Sequence, residues 1–157
     1  MAEYGANALQ TVNPGESVIF STVVVPCNRG FIRFRSETGN FLLSGWIPNN
    51  QNGCCCNRKN RSAVYLADFG ANIAIPEGQT VGEISVALVL DGVTIPSSQM
   101  IVTPAAVEEF FNVSRAINIQ VWNGCCENVS VRNTSNIPIL VQNANIIFSR
   151  PDLAITY

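Results

Sequence analysis

The chain has 157 residues, of which 47% are hydrophobic and only 13% are charged, and its formal net charge is −2. This length suits one domain, the charge gives no reason to expect nucleic acid or an anionic membrane as a partner, and no apolar run approaches the roughly 18 residues of a membrane-spanning helix. Histidine is absent, which removes the commonest general base and the commonest metal ligand from the chain.

The N-terminal third is predicted to contain an arm followed by short strands. Residues 1–11 are small and weakly patterned, which indicates an N-terminal arm. A turn at Asn13-Pro14-Gly15-Glu16 precedes an apolar strand over residues 17–25. Two further strands are expected over residues 31–35 and 41–46, separated by a turn at Thr38-Gly39-Asn40.

A polar segment interrupts this pattern between residues 47 and 62. It contains the triplet Cys54-Cys55-Cys56 and the basic residues Arg58, Lys59 and Arg61. Such a composition is typical of a long exposed loop. The three basic side chains are compatible with an anion site, but a solvated rim explains them better.

The central block, residues 63–102, is the strongest structural signal. Residues 63–75 indicate a long strand that bends at Gly70, and residues 84–90 alternate with the period of two that a half-buried strand requires. Asp91-Gly92 follows, and this dipeptide favours a two-residue hairpin because both positions need positive φ. The pattern predicts the centre of an antiparallel β protein.

One short helical turn is predicted over residues 104–111. Thr103 is a suitable N-cap, and Pro104 suits the first helical position. Glu108 and Glu109 are adjacent, so on a helix they would diverge by about 100° rather than converge as catalytic carboxylates do. Solvated charges are therefore the better interpretation.

The last third returns to strands. We expect strands over residues 116–122, 128–133, 139–142 and 146–150, with a turn at Asn123-Gly124 and a C-terminal tail over residues 151–157. Short strands at this spacing predict an all-β, antiparallel sandwich or jelly roll. The jelly-roll domain itself is expected to cover residues 12–150.

The six cysteines fall into three groups, which are Cys27, the triplet Cys54, Cys55 and Cys56, and the pair Cys125 and Cys126. These spacings match neither a zinc ribbon nor a thioredoxin motif. Adjacent cysteines bridge each other only with strain, so bonds to distant loops or to neighbouring chains are expected. Structural or intermolecular disulfides are favoured over free thiols, and both over a metal site. They indicate an oxidising location, although the N-terminus has no standard secretion signal.

Three segments resemble a known fold. The segment AVYLADFGANIAIP is similar to the long central strand of the tumour-necrosis-factor (TNF) and complement-type jelly roll, and GEISVALVLDGVTIP resembles its next hairpin. AINIQVWNGCCENVSVRNTSNIPILVQNANIIFSR resembles its closing block. The similarity extends to bacterial forms, namely the C-terminal heads of collagen-like spore-surface glycoproteins of the BclA type, and to phage virion proteins. The chain departs from that pattern in having no Gly-X-Y stalk and in placing two cysteines and Glu127 after Gly124.

The resemblance implies a homotrimer with apolar faces around a threefold axis. The shortage of charge independently indicates self-association, because charged groups are too few to cover the surface of a fold of this size; the alternative is a monomer with a neutral surface of Asn, Ser, Thr and Gln. The candidate interface residues are aromatic, and each is equally compatible with the core of the subunit: Tyr65, Phe69, Phe110, Phe111, Trp122 and Phe148.

Two functions follow as hypotheses. The first is a non-enzymatic, self-assembling structural protein of a spore, a bacterial filament or another extracellular or virion surface, with disulfides as candidate cross-links. The alternative is a trimeric head that binds a glycan or a receptor, with Trp46 and the adjoining polar loop as candidate contacts. An enzyme is disfavoured, because no nucleophile with its base and no convergent carboxylate pair is present in the sequence pattern. No cofactor and no metal is expected.

Overall fold

The computed structural model describes residues 1–36, 38–46 and 62–151. In this part of the chain the structure consists of strands and turns with one short 3-10 turn, Pro96–Ser98. The strands are β1 (Ala2–Ala6), β2 (Gln10–Val12), β3 (Thr22–Val25), β4 (Ile32–Arg35), β5 (Asn40–Leu43), β6 (Ser62–Ala74), β7 (Ile84–Leu90), β8 (Val93–Thr94), β9 (Met100–Val102), β10 (Phe111–Trp122), β11 (Glu127–Asn133) and β12 (Ile139–Ser149).

The strands form two six-stranded antiparallel sheets. Sheet I has the order β10-β6-β12-β1-β3, with β2 also paired to β12. Sheet II has the order β4-β5-β11-β7-β8, with β9 also paired to β7. The all-β prediction is therefore confirmed, and the two sheets enclose one hydrophobic core.

The core depends on the alternation of side chains along the long strands. In β6, Ala63, Tyr65, Ala67, Phe69, Ala71 and Ile73 are buried, whereas the residues between them lie on the other face. At the centre of the core, the ring of Phe41 lies 4.9 Å from Tyr4, 5.4 Å from Phe20 and 5.0 Å from Phe148, measured between ring centroids. These aromatic contacts join β1, β5 and β12 across the two sheets.

Two predicted turns have the expected backbone. Asp91 and Gly92 both have positive φ, 46° and 85°, and Leu90 pairs with Val93 across the turn. Gly39 has a φ of +65°, and a side chain at this position would meet the carbonyl group of Val18. Only glycine therefore fits this turn without a shift of the backbone.

The N-terminal segment differs from the predicted arm. β1 lies inside sheet I, between β12 and β3, and Ala2, Tyr4 and Ala6 are buried. The sequence signal is weak because alanine and glycine, which favour strands little, occupy three of its five positions. Residues 1–11 therefore belong to the sandwich, and of the predicted C-terminal tail only Pro151 is among the described residues.

In the segment predicted as a helical turn, residues 104–111, residues 104–110 form a non-helical turn and Phe111 begins β10. Glu108 has a φ of 59°, which is incompatible with a continuing right-handed helix, and its amide donates to the carbonyl of Ile75 at 2.7 Å. The carboxylate of Glu109 accepts hydrogen bonds from the amides of Ala105 and Ala106. Local side-chain bonding therefore replaces the helical ladder here.

The last strand is continuous, where the sequence indicates two. β12 runs from Ile139 to Ser149, with an irregularity in its pairing to β6 between Gln142 and Asn145. Asn143, inside that irregularity, has a φ of 52°, and asparagine tolerates this conformation better than most residues. A bulge therefore interrupts the alternation without ending the strand.

Candidate functional site

The outer face of sheet I is extensive and carries little charge. It is formed by alternate side chains of β6 and β10, flanked by parts of β12 and β1, and we call it the neutral face. Along β6 and β10 its members are Val64, Leu66, Asp68, Gly70, Asn72, Ser114, Ala116, Asn118 and Gln120. Asp68 in β6 and Glu3 in β1 are the acidic residues on this face within the described chain. Such a face can approach a second copy with little charge to desolvate.

Polar side chains on the neutral face form hydrogen bonds with one another within sheet I. The Asn112 amide donates to the Asn72 side-chain oxygen at 3.1 Å, and the Gln120 amide donates to the Ser62 hydroxyl at 2.7 Å. Asn145 similarly donates to the Glu3 carboxylate at 2.7 Å. Because these groups already have hydrogen-bond partners within the sheet, a second copy that covered them would leave few polar groups unpaired.

The aromatic interface candidates separate into two groups. Tyr65, Phe69 and Phe148 are fully buried within one chain, so their side chains cannot reach a second subunit and instead form the core. They face inward because each occupies an inward position of β6 or β12. Phe110 and Trp122 are 40% and 58% exposed, and Phe111 is half-buried, so these three remain accessible.

Three connections whose sequences together contain aromatic residues and cysteines begin at one end of the sandwich. The β3–β4, β5–β6 and β10–β11 connections all leave the sheets there, because Ile32 pairs with Leu43, Leu43 with Glu127, and Ser62 with Trp122. We call this region the loop end. The amide of Gly45 donates to the Gly124 carbonyl at 3.1 Å, which joins two of these connections directly.

Cys125 and Cys126, at the loop end, form a disulfide with each other. The expectation that these two bond to distant loops or to other chains is corrected by this pairing. The two cysteines are neighbours in the turn after Gly124, whose φ of 138° suits glycine. Their disulfide therefore forms within this turn and does not involve another loop. Cys27 is a free, half-buried thiol, and the predicted cross-link candidates Cys54, Cys55 and Cys56 lie outside the described residues.

Trp46 is held at the loop end by a layered stack. Its ring stacks on Phe31 with a centroid distance of 5.8 Å and an interplanar angle of 22°. The Arg150 guanidinium lies over Phe31 at 4.8 Å and over Tyr65 at 5.1 Å, so cation–π contacts continue the stack inward. We call Trp46, Phe31, Arg150 and Tyr65 the aromatic platform.

Hydrogen bonds fix the backbone that carries the aromatic platform. Arg150 donates to the Trp46 carbonyl at 2.9 Å. The Tyr65 hydroxyl lies 2.6 Å from the Ser44 carbonyl and 3.2 Å from the Phe31 carbonyl. The Trp46 side chain remains 53% exposed on this rigid support. An exposed, preordered indole is a surface on which an apolar face of a ligand can stack at low entropic cost.

Comparisons with solved structures show which fold this is. A structure of the TNF Eiger from S. frugiperda aligns with a TM-score of 0.64 and 14% sequence identity, covering 99% of this chain and 93% of that one. The globular domain of the zebrafish complement 1qA protein aligns with a TM-score of 0.52 and 12% identity, covering 93% of this chain and 94% of that one. The fold is a TNF-like jelly roll.

Other comparisons add less to this assignment. The C-terminal domain of EclA, a sugar-binding protein, aligns with a TM-score of only 0.42 and 12% identity, covering 92% of this chain and 79% of that one. No protein-family model and no curated protein matches the sequence. The described part of the jelly roll has no helix with the length and apolar character to cross a membrane.

Two titratable groups of the jelly roll have shifted pKa values. Partial burial raises the pKa of the Glu127 carboxyl and the nearby charge of Asp91 adds to this, whereas a backbone hydrogen bond at Trp122 acts in the opposite direction. Burial, with a smaller contribution from Cys27, raises the pKa of the Tyr4 hydroxyl. Within the described residues no group of three or more Asp, Glu, Cys or His side chains could hold a metal ion.

Arg150 is the residue of the aromatic platform that the sequence did not indicate. It follows β12 directly, and 91% of its surface is covered although arginine is rarely buried. Its partners Trp46, Tyr65 and Phe31 are distant in sequence, so no local spacing indicates the stack. A basic residue at the end of an alternating apolar strand is only a weak sign of burial, and the structure was needed to show the contacts of Arg150.

Proposed function

We propose that the chain is a non-enzymatic, self-assembling structural protein whose unit is a homotrimer of jelly rolls. The observation that carries this proposal is the neutral face, which spans the long strands β6 and β10 and exposes few charges. Its side-chain amides bond to one another within the sheet, so a second copy can cover them at a small polar cost. Threefold symmetry and a spore, filament or virion surface as the location are proposed from the sequence resemblance.

Composition supports the same proposal. Only 13% of the residues are charged, about half the usual share of soluble proteins. Leu66, on the neutral face, is 36% exposed, and Trp122 at its end is 58% exposed. Burial of these side chains between subunits would remove apolar surface from water and stabilise the assembly.

A charge placed at the centre of the neutral face tests self-association. Ala116 is exposed and pairs with Asp68 across β10 and β6. Ala116→Arg should reduce the assembly to single chains, because the added guanidinium must lose its hydration when the face is covered, a cost of several kcal/mol that its cross-strand neighbour Asp68 offsets only in part. Val93→Arg, at a position 70% exposed on sheet II, is the matched control and should leave the trimer intact.

The measurement is light scattering coupled to size exclusion at micromolar protein, with reductant present so that disulfides do not contribute. Wild type and Val93→Arg should give the mass of three chains. A wild-type mass equal to one chain, or an Ala116→Arg trimer as stable as wild type, contradicts the proposal. Reductant-sensitive multimers on non-reducing gels would separately indicate disulfide cross-links between subunits.

A second candidate function, a glycan-binding head, is favoured by the aromatic platform. Flat exposed indoles stack on the apolar faces of pyranose rings, and Trp46 is both exposed and fixed by Phe31 and Arg150. Binding on a glycan array should be lost in Trp46→Ala and retained in Trp46→Phe, which keeps an aromatic ring. Absence of any glycan that separates these two variants counts against this candidate.

A further inference from the structure

A pocket of about 420 Å³ lies at one edge of the jelly roll, beside the β3–β4 connection. β3 is the last strand of sheet I and β4 is the last strand of sheet II, so the pocket opens at the edge of the sandwich where the chain crosses between sheets. This volume lies within the range of small-molecule sites, about 300–1,000 Å³. It therefore suits a ligand rather than a single water molecule.

The walls of this pocket combine apolar and polar groups. Val25, Pro26 and Phe31 are its accessible apolar residues, whereas Ile32 and Phe148 are buried. The ring of Phe148 lies 5.0 Å from that of Phe41, so the base continues into the aromatic core. An apolar group of ring size is the part of a ligand that these walls would remove from water.

Among the described residues that line the pocket, the charged side chains are those of Arg29 and Arg150. Arg29 is exposed at the rim. Arg150 is buried and occupied by its hydrogen bond to the Trp46 carbonyl and by its contacts with Phe31 and Tyr65. Arg29 is therefore the group available to an anion, and its charge opposes a cation.

We propose that this pocket binds a small apolar carboxylate, with its ring or branched chain against Val25, Pro26 and the edge of Phe31 and its carboxylate toward Arg29. The site is independent of self-association, since neither the neutral face nor a second copy contributes to it. The occupant is defined by its chemistry, an apolar body of ring size with one anionic group. Phenylacetate is a suitable probe.

The probe series varies charge at constant shape. Phenylacetate, the neutral 2-phenylethanol and the cationic 2-phenylethylamine are titrated into the full chain, and amide shifts of Cys27, Phe31 and Ile32 are followed by NMR. Phenylacetate should bind more tightly than 2-phenylethanol, and 2-phenylethylamine should bind least. Equal binding of all three, binding of the amine in preference, or no shift at these amides would overturn the proposal.

Two variants that each remove one exposed positive charge separate local recognition from net charge. Arg29→Gln changes the rim, whereas Arg33→Gln changes an exposed position of β4 that does not line the pocket. Arg29→Gln should weaken phenylacetate binding about two- to five-fold and leave 2-phenylethanol unchanged, as expected for an exposed ion pair. Equal losses in both variants would show a non-specific effect and refute the site.

Cys27 supplies a second readout of occupancy because its thiol lies in the pocket wall. Residues 1–29 contain no lysine or arginine before Arg29 and no other cysteine, so trypsin isolates this thiol in one peptide. Phenylacetate should slow alkylation of Cys27 by neutral N-ethylmaleimide, with the same concentration dependence as the NMR shifts. Unchanged alkylation at saturating phenylacetate would contradict binding in this pocket.

Discussion

Asn133, at the end of β11, supports the most direct test of the structure. Its side chain is fully buried and makes three hydrogen bonds to the backbone. The amide nitrogen donates at 2.9 Å to the carbonyls of Val12 and Ile137, and the amide oxygen accepts from Ser135 at 2.8 Å. It thereby joins β2 to the turn that precedes β12.

Asn133→Ala should lower the free energy of unfolding by about 2–4 kcal/mol, because each of these bonds contributes about 1 kcal/mol and the three backbone partners are left unpaired. For a domain of this size, that loss lowers the melting temperature by about 5–15 °C. Urea unfolding followed by tryptophan fluorescence, at several protein concentrations, measures the change.

Asn136→Ala is the matched control, since Asn136 lies in the same turn with its side chain exposed. Its effect should stay within about 0.5 kcal/mol, as for most surface substitutions. If Asn133→Ala costs no more than Asn136→Ala, the three bonds do not stabilise the fold and the reasoning is refuted.

Three other substitutions have defined outcomes. Phe41→Ala should destabilise the chain by about 3–5 kcal/mol in urea unfolding, because it empties the centre of the aromatic core, and a cost below about 1.5 kcal/mol would contradict that position. Gly39→Ala should lower the free energy of unfolding by at least about 2 kcal/mol more than Gly78→Ala. Both glycines have positive φ, but of the two only Gly39 would bring the new methyl group against a neighbouring backbone carbonyl. Equal thermal shifts in the two variants would exclude this contact. The pKa of the Glu127 carboxyl is raised in the folded chain, so the unfolded chain ionises first as pH rises above the ordinary value of 4.5. The free energy of unfolding should therefore decrease as pH rises from 4.5 through the folded-state pKa. Glu127→Gln should remove this decrease from unfolding curves measured at a series of pH values.

The sequence predicts the parts of the fold that depend on strong local signals. β6 alternates over a long stretch, and Asp91-Gly92 admits one kind of turn, so both could be placed before the structure. β7 was also located, but it is buried on both faces, whereas its alternating sequence predicts one buried face. β1 could not be placed, because its inward side chains Ala2 and Ala6 are too small to mark a buried face. Its position is determined by pairing with β12, which lies more than a hundred residues away.

The candidate sites were harder to predict than the fold. Composition indicates self-association, but which aromatic side chains remain accessible depends on the register of each strand, and a shift of one residue would exchange Tyr65 with Leu66. The aromatic platform depends on four residues from different connections and strands. The local disulfide at Cys125 and Cys126 was likewise missed, because general geometry disfavours bonds between neighbours.

The place of β1 between β12 and β3 has a consequence for biosynthesis. β1 leaves the ribosome long before its main hydrogen-bonding partner, residues 139–149, is translated. Until then β6 also lacks one of its two neighbours, so sheet I cannot close before β12 has been made. The apolar strands of this sheet therefore remain without their native partners during most of the synthesis of the domain.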